Sequence, residues 1–242
     1  MSAKRYLIVN ADDFGLSRGV NRGIIKAHEK GIVTSASLMI RWPAAAEAAD
    51  YFRKHADLSL GLHIDLGEWI FRDEVWAPLY EVVSTEDSTA IKVEVYRQLD
   101  SFHDLVGQKP THLDSHQHVH VRKPVRSVLI EMACRLGIPL RHCSPGIRYC
   151  GDFYGQTECG SLFRDAISVE RLIEILQSLP PGVTELACHP GQDDELETMY
   201  CRERAWEVKT LCAPRVGTAL EEMNIELCSF RDVPMPSGKV TR

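Results

Sequence analysis

The sequence predicts a single α/β domain built as a TIM-like barrel with about seven parallel strands. Short apolar, β-branched runs alternate along the chain with longer segments of helical period, which is typical of parallel sheets with helical crossovers. No glycine-rich phosphate-binding fingerprint follows the first strand, and this favours a barrel over a Rossmann sheet. A length of 242 residues suits one barrel, so we expect residues 1–242 to form one domain.

The individual elements follow from the apolar periodicity and from turn residues. Strands are predicted near residues 6–11, 35–40, 59–66, 111–116, 139–144, 184–189 and 225–230. Helices are predicted at residues 18–30, 43–56, 88–107, 122–136, 168–179 and 201–223. Pro43 suits a first helical turn, and Gly31, Gly107 and Gly137 stand where helices should end.

Two long loops and a tail complete the predicted chain. The loops span residues 67–87 and 145–165, and residues 233–242 are expected to form a flexible tail. The loops are rich in aromatic residues, namely Trp69, Phe71, Trp76, Tyr80, Tyr149, Phe153 and Tyr154. Loops of this length are often functional. Trp69, Trp76, Tyr149 and Tyr154 could stack on a sugar ring or could only pack the loops over the barrel, and the sequence leaves both open.

Composition excludes several classes of function. The net charge is −6, so the chain lacks the basic surface that binding to nucleic acid or an anionic membrane requires. We find no signal peptide and no apolar stretch of transmembrane length, and we therefore expect a cytoplasmic protein. Its eight cysteines form no C-x-x-C pair, which indicates reduced thiols rather than a cysteine-based zinc site.

The first predicted strand ends in two adjacent carboxylates, Asp12 and Asp13. A buried strand that stops at paired acids delivers them to the rim of the barrel, where their charge needs a metal, a partner or a substrate. One of the two could be only a helix N-cap. Their role therefore depends on what the other strands deliver to the same rim.

Three further strand ends carry residues suited to metal binding or proton transfer, because strand ends of a barrel meet on one face. They supply His63 and Asp65 from the third strand, His112, Asp114, His116, His118 and His120 from the fourth, and His189 from the sixth. In the run 112–120 the histidines alternate with period two, so we expect its even positions to share a strand face. His142 could be a core residue or could support the site.

These residue types satisfy the needs of metal-assisted hydrolysis. A catalytic divalent ion takes about three nitrogen or oxygen ligands and leaves positions for water and substrate. A second carboxylate can take a proton from water, and a separate acid must protonate the leaving group. Adjacent aspartates could divide the roles of ligand and base, and His189 suits the acid.

Four motifs resemble those of the YdjC/ChbG-type carbohydrate deacetylases. They are Ala11-Asp-Asp-Phe-Gly15, Gly61-Leu-His63, Thr111-His-Leu-Asp-Ser-His116 and His189-Pro-Gly191. Their order and spacing agree over roughly residues 5–230. The resemblance implies a distorted TIM-like barrel, a divalent metal, and removal of acetyl groups from N-acetylated sugars such as chitooligosaccharides, with release of acetate.

The resemblance also implies a role for each matching residue. Asp13, His63 and His116 would bind one divalent ion, Mg²⁺ or Zn²⁺, Asp12 would be the general base, and His189 the general acid. The donor set by itself suits zinc, iron, cobalt or nickel. Relatives often have three consecutive histidines where this chain has Gln117 between His116 and His118.

Other functions remain open at this stage. A metal-dependent amidohydrolase or phosphoesterase in the same barrel would need a second metal and bridging carboxylates or a modified lysine. A metal-free glycosidase could use Asp12 with Asp65 or Asp114, but that leaves the histidines unexplained. A non-catalytic sugar-binding module would not need both proton-transfer groups. The expected partner is a small acetylated sugar, and both a monomer and a homodimer remain open.

Overall fold

The computed structural model describes residues 4–192, 196 and 198–233, so nearly all of the predicted tail at 233–242 lies outside the described residues. The strands are β1 Arg5–Phe14, β2 Ser35–Leu38, β3 Ser59–Ile64, β4 Gly67–Arg72, β5 Val75–Glu81, β6 Leu113–Ser115, β7 Ile147–Cys150, β8 Gly182–Cys188 and β9 Ile225–Cys228. The α-helices are α1 Arg18–Lys30, α2 Ala45–Lys54, α3 Ser88–Val106, α4 Val125–Leu136, α5 Val169–Ser178, α6 Arg202–Leu211 and α7 Pro214–Glu222.

Seven of the described strands form one sheet in which every pairing is parallel. Its order is β6-β3-β2-β1-β8-β7, and β9 pairs with the first half of β1. Since β8 pairs with β1 from Arg5 to Ala11, β9 and β2 share the other edge of β1. The predicted fold class, a TIM-like barrel of about seven parallel strands, is confirmed.

One buried side chain shows that this sheet curls. In a flat sheet, β6 and β8 would lie four strand spacings apart, roughly 19 Å. Yet the guanidinium of Arg141 contacts Asp114 on β6 at 2.9 Å and Glu185 on β8 at 2.7 Å. The two strands therefore face each other across the interior, as strands of a distorted, open barrel do.

Three helices end at the glycines that the sequence predicts, whereas α2 begins at Ala45 and leaves Pro43 outside the helix. Ser17 caps α1 by accepting a hydrogen bond from the Val20 N–H, and Gly31 ends the helix. Gly107 and Gly137 end α3 and α4 in the left-handed conformation that glycine adopts without steric cost. The predicted helix 201–223 is two helices, because Pro214 starts α7 and cannot continue α6.

The predicted fifth strand, 139–144, was wrong. Only Leu140 pairs with the sheet, through a parallel bridge to Leu113, and the chain then turns. Both Cys143 and Ser144 donate their N–H groups to the Leu140 carbonyl, which closes this turn. Within this turn, Arg141 forms buried ion pairs with three carboxylates. The apolar periodicity of the sequence does not reveal such ion pairs.

The two predicted long loops contain strands. Residues 67–87 include the antiparallel hairpin β4–β5, and residues 145–165 include β7, which pairs with β8. Along the described part of the chain, no helix is both long and apolar enough for a membrane crossing. All eight cysteines are free thiols, as predicted.

Candidate active site

The predicted site residues line one cleft at the carboxyl ends of the strands, with a cavity volume of about 910 Å³. Asp12, Asp13, His63, His116 and His189 all contribute to its walls. The structure therefore brings together all five residues that the sequence singled out for metal binding and proton transfer.

The end of β1 explains how two adjacent aspartates reach the same cleft. In a regular strand, neighbouring side chains point to opposite faces. Here the pairing of β1 with β2 shifts register between Ala11 and Phe14, and Asp13 has a φ of 67°. This bulge turns Asp13 into the cleft beside Asp12. A left-handed aspartate costs conformational energy, which is typical of functional positions.

Asp13 is the centre of a buried cluster with two imidazoles. Its Oδ1 atom lies 3.1 Å from His116 Nδ1 and 3.3 Å from His63 Nε2, and all three side chains are buried. Its Oδ2 atom accepts a 2.7 Å hydrogen bond from Arg204 of α6. Burial alone would raise the pKa of Asp13, but Arg204 and His116 outweigh it and hold the pKa well below its ordinary value.

The two imidazoles of this cluster are held by further acids. His63 Nδ1 lies 2.8 Å from Asp114 Oδ1, which leaves Nε2 directed at Asp13. Despite burial, Asp114 and the two cleft aspartates raise the pKa of His63 to about 10. Asp13 and then Glu68, 3.6 Å from His116 Nε2, similarly outweigh burial and raise the pKa of His116 to about 9. A cation that replaces the protons on these rings would be held by the same acids.

Asp12 occupies a different environment. Both of its oxygens accept hydrogen bonds from Arg141, at 2.6 and 2.7 Å, and Oδ1 accepts a third from Asn10. Burial would raise the pKa of Asp12, but the Arg141 charge and hydrogen bonds lower it below its ordinary value. The same guanidinium contacts Asp114 and Glu185, so it fixes three carboxylates at once.

His189 follows β8 and faces Asp12, with 3.8 Å between its Nε2 atom and Asp12 Oδ2. Burial lowers the pKa of His189 to about 4, although Asp12 and Asp13 oppose this, so the imidazole is neutral at pH 7. Its backbone N–H donates to Glu207 of α6, which also accepts from the Tyr200 hydroxyl. Burial raises the pKa of Glu207 to about 8 against these hydrogen bonds.

Two glycines of the sequence motifs serve close packing. A Cβ at Gly61 would lie 2.4 Å from the ring of His112, and a Cβ at Gly23 of α1 would lie 2.2 Å from the backbone of Gly191. Gly61 therefore makes room for His112, which is a core residue bonded to Ser37 and stacked on Phe230. Gly23 therefore lets α1 pack directly against the segment that carries His189, and a Cβ at Gly191 itself would lie 2.9 Å from the Arg204 side chain.

The histidine run behaves differently from its predicted strand pattern. Strand β6 ends at Ser115, and residues His116–Val121 form a 3₁₀ segment in which Gln117 and His118 have left-handed φ angles of 48° and 54°. The even positions therefore do not share one strand face. His118 and His120 group with His142 instead of with His116.

The remaining predicted candidates divide into two groups. Trp69, Trp76, Tyr149, Phe153 and Tyr154 line the cleft, whereas Phe71 and Tyr80 do not. Asp65 is buried, but its carboxylate accepts from Arg41, Trp42 and Tyr80 and contacts no described imidazole. Asp114 is the carboxylate that orients a histidine.

Three charged residues of the site were not predicted from the sequence, namely Glu68, Arg141 and Arg204. A basic residue inside a predicted buried strand was a usable signal for Arg141. Glu68 lay in a predicted loop and Arg204 in a predicted helix, where charged residues are ordinary. Nothing in their local sequence indicated burial in the cleft.

The cluster of Asp13, His63 and His116 has the features of a metal site. One ligating atom from each lies within 4.8 Å of the others. His116 Nε2 is buried without a hydrogen-bond partner, which costs free energy that a ligand would recover. One carboxylate with two imidazoles is a common set for a divalent ion with open positions. These residues therefore fit a divalent metal.

Comparison with protein families and characterised sequences identifies relatives over nearly the whole chain. The family model described as YdjC-like protein matches residues 6–222. A carbohydrate deacetylase of Geobacillus stearothermophilus is 32% identical over 94% of this chain and 98% of its own length. A chitooligosaccharide deacetylase of Serratia marcescens is also 32% identical, over 95% of this chain and 100% of its own length.

Solved structures agree with the fold. A crystal structure of a candidate cellobiose-phosphate cleavage protein from Enterococcus faecalis has a TM-score of 0.78 at 28% identity, covering 95% of this chain and 98% of that one. A family 4 carbohydrate esterase from Streptomyces lividans, in complex with acetate, has a TM-score of 0.55 at 13% identity, covering 94% and 93%. The second likeness shows the barrel fold alone.

Proposed function

The chain belongs to the YdjC-like protein family, and on that premise we propose that it is a metal-dependent deacetylase of N-acetylated sugars. The observation that carries the proposal is one cleft that contains a candidate metal cluster, a separate ionised carboxylate and a neutral imidazole. Relatives named as carbohydrate and chitooligosaccharide deacetylases support the sugar amide as the substrate class.

We assign the metal to Asp13, His63 and His116. A divalent ion there, with Mg²⁺ and Zn²⁺ as the first candidates, would polarise the acetyl carbonyl and lower the pKa of the attacking water. Asp114 holds His63 in the tautomer whose Nε2 atom is available, through its 2.8 Å contact with Nδ1. Arg204 holds the other oxygen of Asp13 and so fixes the orientation of that carboxylate.

Asp12 acts as the general base in this proposal. Arg141 keeps the carboxylate ionised and fixed in place, because it donates hydrogen bonds to both oxygens and its own side chain is fully buried. An oxygen that accepts a hydrogen bond from Arg141 retains a second lone pair for the proton of the attacking water. This division of roles follows the environments of the two aspartates, since Asp13 and not Asp12 lies beside His116.

His189 delivers the proton to the departing amine. Because its pKa lies at about 4, the imidazole is neutral at pH 7 and must first receive a proton. The nearest acidic oxygen is Asp12 Oδ2, 3.8 Å from His189 Nε2. We therefore assign a relay in which the proton that Asp12 takes from water passes to His189 and then to the amine nitrogen. Cleavage of the C–N bond releases acetate and a free amino sugar.

The direct test measures acetate release from N-acetylglucosamine oligomers. Purified protein should release acetate, chelation should abolish the release, and Mg²⁺ or Zn²⁺ should restore it. His116→Ala should be inactive, whereas His103→Ala, at an exposed position of α3, should retain activity. Full activity after chelation, or reducing sugar formed without acetate, would contradict the proposal. Elemental analysis of the same samples identifies the bound ion.

A further inference from the structure

Three histidines outside the proposed catalytic set form a second cluster, which we call the histidine triad: His118, His120 and His142. One ligating nitrogen from each lies within 4.8 Å of the others. The ring centroids are 5.3 to 5.9 Å apart. The triad shares no residue with the cluster of Asp13, His63 and His116, and it lies where the 3₁₀ segment meets the turn after Leu140.

Two members of the triad have one nitrogen engaged and the other buried without a partner. His120 is fully buried, its Nδ1 atom lies 2.6 Å from the Ser115 hydroxyl, and its Nε2 atom has no hydrogen bond. His118 Nε2 lies 3.0 Å from the Tyr149 hydroxyl, and its Nδ1 atom is likewise buried and unpaired. A buried polar atom left unpaired costs free energy, so two in one cluster call for a ligand.

We propose that the histidine triad is a second metal site, which binds a borderline transition-metal ion such as Zn²⁺. Neutral imidazoles without a carboxylate suit zinc, nickel or copper and exclude Mg²⁺ and Ca²⁺, which require oxygen ligands. Zn–N bonds of about 2.0–2.1 Å place tetrahedral ligands roughly 3.3 Å apart, so the rings converge by at most about 1.5 Å. Ser115 and Tyr149 then orient His120 and His118 from outside the site.

The charges around the triad tolerate a cation. Arg141 and Arg126 are the fixed positive charges that act on His142. Arg141 is paired with Asp12, Asp114 and Glu185, and these carboxylates offset its charge. His142 is exposed, which gives an ion a path from solvent. His118 also lines the cleft, so the fourth coordination position is open to water or to a ligand in the cleft.

An ion at the triad would also fix local backbone. Gln117, His118 and His142 all adopt left-handed φ angles, between 48° and 62°. Linking His118 to His142 would join the 3₁₀ segment, which begins at His116, to the turn that carries Arg141. The second ion is thus a positioning element beside the proposed catalytic site, and its binding does not depend on whether the protein is a deacetylase.

Zinc stoichiometry tests the proposal. Metal-free protein is titrated with Zn²⁺, and bound zinc per chain is counted after removal of free metal. We expect two equivalents for the native chain and one for His142→Asn or His118→Asn, since asparagine tolerates the left-handed backbone at both positions. His103→Asn, on the exposed face of α3, is the matched control and should keep both equivalents.

A second background separates this proposal from the catalytic one. Asp13→Asn should lose the catalytic equivalent, and the remaining zinc should disappear when His142→Asn is added. Zinc should raise the melting temperature of Asp13→Asn but not of the double variant. Unchanged stoichiometry in His142→Asn and His118→Asn would overturn the triad site. One equivalent in the native chain that His142→Asn removes and Asp13→Asn spares would instead support the triad and contradict the assigned catalytic ligands.

Discussion

The two halves of the cleft are built in different ways. One half, the strand-built half, consists of buried acids and imidazoles at the ends of β1, β3, β6 and β8, linked by Arg141. The loop-built half consists of aromatic residues on the β4–β5 hairpin and on residues 149–154, of which Trp76 is 51% exposed. The strand-built half holds charged groups that are buried from solvent, and the loop-built half offers aromatic surface to a molecule bound in the cleft.

This difference separates chemistry from recognition. Removing one partner from a set of hydrogen-bonded buried charges costs several kcal/mol of unfolding free energy. We therefore expect the strand-built half to tolerate few substitutions. Aromatic side chains on the wall of the cleft contribute contact area and few obligatory hydrogen bonds. We therefore expect substitutions in the strand-built half to lower kcat or stability, and substitutions in the loop-built half to change KM.

The largest effect is expected for Arg141→Met. Methionine keeps an unbranched apolar stem but leaves Asp12, Asp114 and Glu185 buried together without their cation, which should cost about 3–5 kcal/mol of unfolding free energy. Acetate release should fall as well, because Asp12 loses its support. Denaturant unfolding measures the loss. Arg202→Met, at an exposed position of α6, is the control, and equal stability of the two variants would contradict the structural role of Arg141.

The substitution Asp12→Asn should remove the proposed general base while the side chain keeps nearly the same size and shape. We expect kcat for acetate release to fall about 10²–10⁴-fold, the usual contribution of general base catalysis, with bound metal unchanged. Asp13→Asn should instead lose metal. Steady-state kinetics with elemental analysis distinguishes the two. If Asp12→Asn releases the metal and Asp13→Asn keeps it, the assigned roles are reversed.

Glu207 links the two halves through Tyr200, because it accepts hydrogen bonds from the His189 backbone and the Tyr200 hydroxyl, and Tyr200 stacks on Tyr154. Burial raises its pKa to about 8, so the folded protein binds this proton more tightly than the unfolded chain. Its stabilising contribution is complete below pH 4.5 and is lost as the pH rises through 8.

Glu207→Gln should remove that dependence. Relative to the native protein, the variant should gain on the order of 3 kcal/mol of unfolding free energy between pH 5 and pH 8. Denaturant melts across this range provide the measurement. Glu222→Gln, exposed at the end of α7, should show the native pH dependence. If the unfolding free energies of Glu207→Gln and the native protein changed with pH in parallel, the raised pKa of Glu207 would be contradicted.

The smallest effect is expected for Trp76→Ala in the loop-built half. Loss of one stacking surface should raise KM for an acetylated oligosaccharide about tenfold, or about 1.4 kcal/mol, with kcat nearly unchanged. Tyr6→Ala, at the opposite end of β1, controls for loss of an aromatic residue. A fall in kcat at constant KM would show that Trp76 acts in the chemical step, and it would contradict the division of the cleft into a catalytic half and a binding half.

The sequence predicted the strand-built half well because its signals are local. Gly31 marked the end of α1, and polar residues at the ends of apolar runs located Asp12, Asp13, His63, His116 and His189. Six of the seven parallel strands followed from the alternation of strand and helix patterns, whereas β7 lay in a predicted loop. Roles for these five residues remain predictions until the substitutions above are measured.

The parts that escaped prediction depend on distant contacts. The supposed strand 139–144 failed because Arg141 turns inward to carboxylates that lie 27 to 129 residues away in the chain. Glu68 and Arg204 reach the cleft only because the hairpin and α6 pack beside it in the folded chain. Neither periodicity nor spacing encodes such contacts.

Gln117 shows how the loop-built half is attached. Its side-chain amide donates to the Trp69 carbonyl at 2.7 Å and accepts from the Trp69 N–H at 2.8 Å, so it pairs with the hairpin as a neighbouring strand would. A histidine at this position has no such paired donor and acceptor on one edge. The hairpin is thus attached to the 3₁₀ segment through one side chain, which directly follows His116 of the candidate metal cluster. We therefore expect a substitution at Gln117 to displace the loop-built half of the cleft while the buried charges of the strand-built half keep their positions.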